Sequence, residues 1–218
     1  MRKEVPAPVD TMGCASYMKP NISPKEGRYH TLISLMLSSQ TKDEVNAEAM
    51  RNLMSHGLSV DNILNTDDHT LNQLISKVGF HNRKVEYIKK TTKILKEQFD
   101  GDVPDNLKDV LSLPGVGPKM AHLFMTHAWD KPEGIGVDVH VHRISNLLKW
   151  VNTKTPEKTR ISLEKWLPRE YWGVGGINYQ FVGFGQTICK PLHPKCETCY
   201  VSHLCPNAFN FKKFKKKN

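Results

Sequence analysis

The sequence lacks any apolar run of the length that a membrane-spanning helix requires, which is about 20 residues. Its first ten residues, MRKEVPAPVD, lack the apolar core of a signal peptide, and the residues that follow lack an arginine-rich transit pattern. Serine- and glycine-rich linkers and internal repeats are also missing. These absences predict an intracellular protein without a membrane partner, although a leader removed earlier would leave no trace in the sequence.

Positively charged residues outnumber negatively charged residues in the sequence. Lysine and arginine number 31 against 22 aspartate and glutamate residues in a chain of 218, so the formal charge is +9 and the pI is near 9.3. This balance favours a polyanionic partner such as nucleic acid, although many soluble proteins are basic. The lysine-rich stretch FKKFKKKN at 211–218 is predicted to be a solvated, disordered end, with phosphate attraction or a nuclear address as the alternatives.

Helical spacing dominates the chain and predicts an all-α fold. One apolar run repeats at i, i+3, i+4 and i+7, namely Leu71, Leu74, Ile75 and Val78. Thr70 is predicted to cap this helix and Gly79 to end it, and Thr155 before Pro156 is predicted to open another.

The stretch GVDVHVH alternates as a strand would, through Val137, Val139 and Val141. The same residues also fit a helix with Asp138 as its N-cap, and we favour the helix because no partner strand is evident. His140 and His142 follow, and we assign them to helix packing or phosphate contact, because no second pair of metal ligands is nearby.

The stretch LPGVGPKMA at 113–121 places two glycines between two predicted helices. Gly115 and Gly117 allow a nucleic-acid backbone to approach closely, and the first amides of the second helix are free to bind a phosphate. An ordinary turn between helices is the alternative. Lys119 lies in the first helical turn, where the helix dipole favours the free amine that Schiff-base chemistry requires. By position alone, however, a phosphate contact is the better interpretation of Lys119.

Four of the five cysteines lie close together, at Cys189, Cys196, Cys199 and Cys205, with six, two and five residues between them. In a chain without a secretory signal this cluster indicates a metal site rather than disulfides. Zinc and an iron–sulfur cluster both take four thiolates, and the spacing differs from the paired Cys-x2-Cys of zinc ribbons.

The order of these motifs closely resembles the endonuclease III family of DNA glycosylases. The stretches that carry the resemblance are LPGVGPKMA, VDVHVHRISN at 137–146 and the cysteine spacing, while LMLSSQTKDEV at 35–45 and VGFHNRKVEYI at 78–88 resemble its eukaryotic branch. The resemblance implies a two-lobed helix-hairpin-helix protein. One lobe, residues 27–133, is a six-helix barrel, and a discontinuous iron–sulfur cluster domain contains 1–26 and 134–218.

The resemblance also implies a bifunctional DNA N-glycosylase and AP lyase. Lys119 is the expected nucleophile, which forms a Schiff base and leads to strand cleavage 3′ to the site by β-elimination. Asp138 is the expected catalytic carboxylate. The expected substrates are oxidised pyrimidines in damaged double-stranded DNA, removed by a monomer during base excision repair in the nucleus, the mitochondrion or both.

The remaining site residues follow from the same resemblance. Gln40 fills the gap left by the flipped nucleotide, and Phe80 or His81 acts as a wedge. Lys190 and Lys195 are expected to contact phosphates, and the four cysteines to hold a 4Fe-4S cluster. The sequence departs from the common pattern at Val139, where threonine is frequent, and at Leu147, where arginine is frequent, which puts a local DNA contact or packing detail in doubt. Two alternatives stay open, namely a related glycosylase with a different lesion preference and a noncatalytic, zinc-containing DNA-binding module.

Overall fold

The protein is all-α, as the apolar spacing predicts. The computed structural model describes residues 4–18 and 21–210, and within these ranges the chain forms helices and turns without a β-strand. The chain divides into two compact units, one from Thr11 to Glu133 and one that joins the residues up to Asp10 with the chain from Gly134 onward. The lysine-rich stretch at 211–218 lies outside the described residues.

The unit from Thr11 to Glu133 is built from helices joined by short turns. After the short helix α1, which contains the division between the units, and a 3-10 turn at Cys14–Tyr17, its elements are α2 to α8. Their bounds are α1 Pro8–Met12, α2 Pro24–Ser38, α3 Asp43–His56, α4 Val60–Asn65, α5 Asp68–Leu74, α6 His81–Gln98, α7 Leu107–Ser112 and α8 Pro118–Ala128.

Helix α2 lies at the centre of this unit. Its residues from Tyr29 to Leu37 are all buried, and Leu32, Ile33 and Leu37 have no solvent exposure. A helix that is apolar on every side requires packing partners on every side. Buried side chains from the other helices, among them Met50, Ile88 and Phe124, complete one core around α2.

The helix that contains Leu71 begins earlier than predicted. Asp67, not Thr70, is its N-cap, because the Asp67 carboxylate accepts hydrogen bonds from both the amide and the hydroxyl of Thr70. A carboxylate three residues upstream can reach the free amide of the first turn, whereas Thr70 is already inside the helix. The prediction of Thr70 as the cap was therefore wrong by one helical turn. The prediction of Gly79 as the end was also wrong, because the helix ends at Leu74 with Ile75 as its C-cap.

The second unit contains α9 (Val139–Leu147), α10 (Pro156–Glu164) and α11 (Ile177–Thr187), with 3-10 turns at Arg169–Tyr171 and Ser202–Leu204. The favoured helical interpretation of VDVHVH is confirmed. Thr155 caps α10 as predicted, by accepting from the Lys158 amide. Helices α9 and α11 cross closely, because a β-carbon at Gly185 would lie 2.3 Å from the His140 ring. His140 therefore packs at a helix crossing.

Residues 11–18 belong to the α2 unit, whereas the sequence-based division placed residues 1–26 with the cysteine cluster. The reason is apolar packing, since Tyr17 is buried in the core around α2 and Met18 packs against that core. The two-lobed arrangement itself stays a prediction.

Among the described residues, no helix combines the length and apolar character that crossing a membrane requires.

Arg28 on α2 joins the turn after α6 to the end of α8. Its guanidinium donates to both carboxylate oxygens of Asp102, at 2.9 Å and 2.5 Å, and lies 4.0 Å from the centre of the Trp129 ring. Burial raises the pKa of Asp102, but the hydrogen bonds from Arg28 and the Val103 amide outweigh it and hold that pKa below its usual range.

We expect Asp102→Asn to lower the free energy of unfolding by about 1–3 kcal/mol at pH 7, because a charge-assisted, two-pronged hydrogen bond is lost. A depressed carboxyl pKa gives stability that is present above about pH 3.9 and lost as the pH falls through the folded-state value. Urea unfolding from pH 7 to pH 3.5 should therefore show the difference from wild type shrinking in acid. Asp105→Asn, which affects the exposed pair of Asp105 with Lys131, is the control and should change little. An equal loss in both variants would contradict this account.

Candidate functional site

The predicted hairpin is present between α7 and α8, and two separate observations explain why the first residue of its glycine pair, Gly115, must be glycine. Gly115 has φ of 80°, in the left-handed region that favours glycine, and a β-carbon there would lie 2.8 Å from the Tyr87 ring. The Thr91 hydroxyl donates to the Pro114 carbonyl at 2.9 Å, and so attaches the same turn to α6. The turn is therefore held tightly against α6.

The second glycine leaves open space. A β-carbon at Gly117 would meet no atom within 4 Å, and Gly117 caps α8 without any side-chain hydrogen bond to its first turn. Pro118 occupies the first helical position and has no amide hydrogen. The amides that follow it in the first turn face outward, and no side chain at Gly117 obstructs them. Such a helix start is suited to hold an anion.

Lys119 is the second residue of α8, as predicted, and its side chain is partly exposed. The nearby Cys14 thiol is buried. Burial raises the pKa of Cys14 to about 11, although the positive charge of Lys119 acts in the opposite direction. Cys14 is therefore a neutral thiol at physiological pH.

The residues predicted to enter DNA lie on two adjacent turns of the same unit. We call residues 39–41, after α2, the Gln40 turn, and residues 79–81, which lead into α6, the Phe80 turn. Gln40 has φ of 51° and Phe80 has φ of 58°, both in the left-handed region. The turns touch, because a β-carbon at Gly79 would lie only 2.7 Å from the Gln40 carbonyl oxygen.

The structure distinguishes the two wedge candidates. The Phe80 ring is 65% exposed, whereas His81 is partly buried and its Nδ1 lies 2.9 Å from the Asn72 side-chain oxygen. An exposed aromatic ring is free to contact a ligand, whereas the partly buried His81 ring already uses Nδ1 in a hydrogen bond. Phe80 is therefore the better candidate.

Lys84 was not predicted as a site residue, yet its ammonium lies beneath these turns. It is only 7% exposed and donates to the carbonyls of Leu37 and Ser39 and to the hydroxyl of Thr41. A signal was present in the sequence, because Lys84 lies one helical turn before Ile88 on the apolar face of α6.

In the other unit, Asp138 is the N-cap of α9, as predicted. Its Oδ1 accepts from the Val141 amide at 2.8 Å, and the residue is partly exposed. One carboxylate oxygen therefore orients the side chain while Oδ2 has no part in this cap.

Val139, one of the departures from the common pattern, is 70% exposed and so has no packing role there. His142 accepts from or donates to the Thr159 hydroxyl at 2.6 Å and joins α9 to α10.

The four clustered cysteines line one pocket, which is partly open to solvent. The remaining wall is largely apolar and includes Ile144, Phe184 and Ile188, and all four thiols are free of disulfides. Burial raises the pKa of the Cys189 thiol, while Arg143, with Nη1 3.5 Å from that sulfur, acts in the opposite direction. No group of three or more metal-binding side chains converges on a single-ion site within the residues described.

Four cysteines that line one largely apolar pocket are the donor set of a 4Fe-4S cluster, which takes four cysteine thiolates. The loop between Cys189 and Cys196 is attached at its base by the Lys195 amide, which donates to the Ile188 carbonyl at 3.0 Å. Lys190 and Lys195 are exposed on this loop, as a phosphate contact requires.

The site residues therefore fall into two sets. The hairpin, Lys119 and the two turns belong to the α2 unit, and Asp138 and the four cysteines belong to the other unit. The helices of the α2 unit and the glycine hairpin between α7 and α8 define a class of protein, the helix-hairpin-helix proteins.

The chain belongs to the HhH-GPD superfamily of base excision DNA repair proteins, whose family model matches residues 33–169. It is 54% identical over 217 residues to the endonuclease III homolog of Schizosaccharomyces pombe, covering 97% of this chain and 60% of that one. It is 53% identical over 210 residues to endonuclease III-like protein 1 of Mus musculus, covering 95% and 69%. The chain thus spans about 60–70% of the length of these two relatives.

Among solved structures, the chain is similar to a trapped endonuclease III–DNA covalent intermediate, described as an estranged-adenine complex. The TM-score is 0.77 and the sequence identity 26%, and the match covers 89% of this chain and 92% of that chain. These similarities confirm the predicted family and fold class.

Proposed function

We propose that this chain is a bifunctional DNA glycosylase and AP lyase that removes oxidised pyrimidines from double-stranded DNA. The observation that carries the proposal is the start of α8, where Gly117 leaves the helix amides open and Lys119 follows two residues later. An anion-binding helix start next to a primary amine can hold a phosphate and present a nucleophile to the adjoining sugar. The similar structure of a trapped covalent intermediate with DNA supports this interpretation.

In the proposed reaction the unprotonated Nζ of Lys119 attacks C1′ of the damaged nucleotide. The bond from C1′ to the base breaks, and the base leaves with the bonding electron pair and takes up a proton. The attached amine loses one proton. The C1′–O4′ bond then breaks, O4′ takes up a proton, and the nitrogen forms a protonated Schiff base with C1′. Removal of a C2′ proton then expels the 3′ phosphate by β-elimination, and water hydrolyses the Schiff base to regenerate the lysine.

Asp138 is proposed to stabilise the positive charge that develops on the sugar and to assist deprotonation of the amine. Its capping bond with Val141 supports this role, because it fixes the carboxylate before the reaction begins. A charge that is already oriented needs little reorganisation in the transition state.

Gln40 and Phe80 are proposed to enter the DNA where the damaged nucleotide is flipped out. Removing a base from the stack costs a few kcal/mol, and side chains that occupy the vacated space offset part of that cost. The left-handed backbone of both residues supports the proposal, because it places each side chain on a tight turn. Lys190 and Lys195 add phosphate contacts, which give affinity without sequence preference.

Cys189, Cys196, Cys199 and Cys205 are proposed to hold a 4Fe-4S cluster that stabilises the unit and orients its loop against DNA. When bound, the cluster would cross-link four positions within residues 189–205. The protein is proposed to act as a monomer where DNA is present, in the nucleus, the mitochondrion or both.

Borohydride reduces a Schiff base to a stable amine, so wild-type protein mixed with a thymine glycol duplex should give a covalent complex on a denaturing gel. Lys119→Gln should abolish this band because the amine is lost. Lys108→Gln, which removes an exposed lysine of α7 in the same hairpin, is the matched control and should retain it. Undiminished trapping by Lys119→Gln would overturn the assignment.

The same assay separates the alternatives. Trapping on a panel of other damaged duplexes, without trapping on oxidised pyrimidines, would indicate a glycosylase with a different lesion preference. A wild-type protein that binds DNA and traps on no lesion would indicate a noncatalytic DNA-binding module.

Two substitutions at Asp138 separate its charge from its capping bond. Asp138→Asn keeps an oxygen acceptor for the Val141 amide and should slow excision by about 10²–10⁴-fold without affecting DNA binding. Asp138→Ala should slow excision similarly and also destabilise the protein by about 1 kcal/mol, because the cap is lost. Single-turnover rates and thermal unfolding measure the two effects. A fully active Asn variant beside a slow Ala variant would restrict Asp138 to a structural role.

Iron and acid-labile sulfide analysis of the purified protein should give about four of each per chain. Cys199→Ala should lose both and the brown visible absorbance with them, because one of four ligands is missing. Cys14→Ala is the matched control, since this thiol is remote in sequence from the cluster, and it should retain full iron content. Zinc in place of iron would contradict the proposed cluster.

A further inference from the structure

The end of α2 is held by a buried charge from another helix. The last carbonyls of a helix have no partner within it, and a cation placed there is favourable. Lys84 of α6 supplies that cation, with its Nζ 2.7 Å from the Leu37 carbonyl oxygen and 2.6 Å from that of Ser39. A third bond, at 3.1 Å, reaches the Thr41 hydroxyl.

These bonds flank Gln40 on both sides, since Ser39 precedes it and Thr41 follows it. Gln40 itself has φ of 51°, a conformation that costs a residue with a side chain of the order of 1 kcal/mol or more. Such a conformation persists only where neighbouring contacts enforce it. The bonds from Lys84 to the two adjacent residues are contacts of that kind.

The Gln40 turn is also confined from the opposite side. The Gly79 backbone lies so close to the Gln40 carbonyl that a β-carbon at Gly79 would lie 2.7 Å from its oxygen. Phe80 follows at once as the N-cap of α6, the helix that carries Lys84 one turn later. One helix therefore positions the Phe80 ring directly and the Gln40 side chain through Lys84.

We propose that Lys84 is a positioning residue for base flipping, which holds the Gln40 turn against the Phe80 turn so that both side chains enter the DNA together. This inference rests on the proposed function, because it assigns Gln40 and Phe80 to the space around the flipped nucleotide. Lys84 itself touches neither the sugar nor the leaving base in this scheme.

The protonation state of Lys84 agrees with this role. Burial lowers the pKa of its ammonium group to about 8, so the amine is mostly charged at pH 7 and has three N–H donors for its three acceptors. A methionine of similar length would fill the same space and leave all three oxygens without that donor.

The same helix offers a matched control. Lys89, five residues along α6, donates to the carbonyls of Ile63, Leu64 and Thr66 and thereby caps the end of α4. Lys84 and Lys89 thus each bring one ammonium group to three oxygen acceptors at the end of another helix. Only one of these two lysines, Lys84, bonds to the Gln40 turn. Lys89 bonds instead to carbonyls at the end of α4, which lead into α5.

The experiment compares wild type, Lys84→Met and Lys89→Met in single-turnover excision from thymine glycol duplexes with adenine or guanine opposite the lesion. Lys84→Met should slow excision at least tenfold. It should also reduce the difference in excision rate between duplexes with adenine and duplexes with guanine opposite the lesion. The reason is that Gln40 no longer faces the orphaned base in a fixed position. A duplex with 2-aminopurine beside the lesion should give a smaller fluorescence change on flipping.

Lys89→Met should lower thermal stability and leave the opposite-base difference and the fluorescence change near the wild-type values. Equal effects of the two substitutions would overturn the inference and reduce Lys84 to a structural cap. A wild type that excises no base would instead contradict the proposed function, so the two failures are distinct.

Gly79→Ala gives an independent test from the other side of the turn. Its β-carbon must displace the Gln40 carbonyl, while Lys84 and its charge stay in place. In this variant, as in Lys84→Met, the excision rate should depend less on the base opposite the lesion. If Lys84→Met does not fold, Gly79→Ala tests the inference in its place. Wild-type opposite-base dependence in Gly79→Ala would contradict the proposed coupling of the two turns.

Discussion

Unpaired backbone groups at helix ends are the constraint on which this structure depends. Every helix leaves free amides at its start and free carbonyls at its end, and each must find a partner in protein, water or ligand. Gly117 leaves the start of α8 open, and Asp138 closes the start of α9. Lys84 closes the end of α2. The proposed reaction uses the open end to hold DNA and the closed ends to fix the side chains around it.

Close backbone approach is the second requirement, and glycine meets it at several contacts. Gly115 lies against the Tyr87 ring and Gly79 against the Gln40 carbonyl, and either contact would be lost with a β-carbon. Both contacts involve α6 or the turn that precedes it. Helix α6 thus acts as a common support for the hairpin and for the two turns proposed to enter DNA, and its N-terminal turn, which carries Lys84, is the part that contacts the Gln40 turn.

Much of the local structure could be predicted from the sequence, because helix period, caps and turns depend on neighbouring residues. The helix at 139–147 with its Asp138 cap and the turn around Gly115 are examples. The error at Thr70 has the same local origin, since Asp67 offered a better acceptor one turn earlier. The placement of residues 11–18 could not be predicted locally, because it depends on Tyr17 packing into a core formed by later helices.

By itself the sequence determined the all-α class, the hairpin, the cysteine spacing and the family, because each is encoded in short stretches and in their order. Only the tertiary structure decided which oxygens the Lys84 ammonium contacts, and that Phe80 is exposed while His81 is bonded to Asn72. Lys84 reaches a carbonyl 47 residues earlier in the chain. A lysine in a helical pattern ordinarily belongs to the solvated face, and only folding brings the unpaired carbonyls of α2 within its reach.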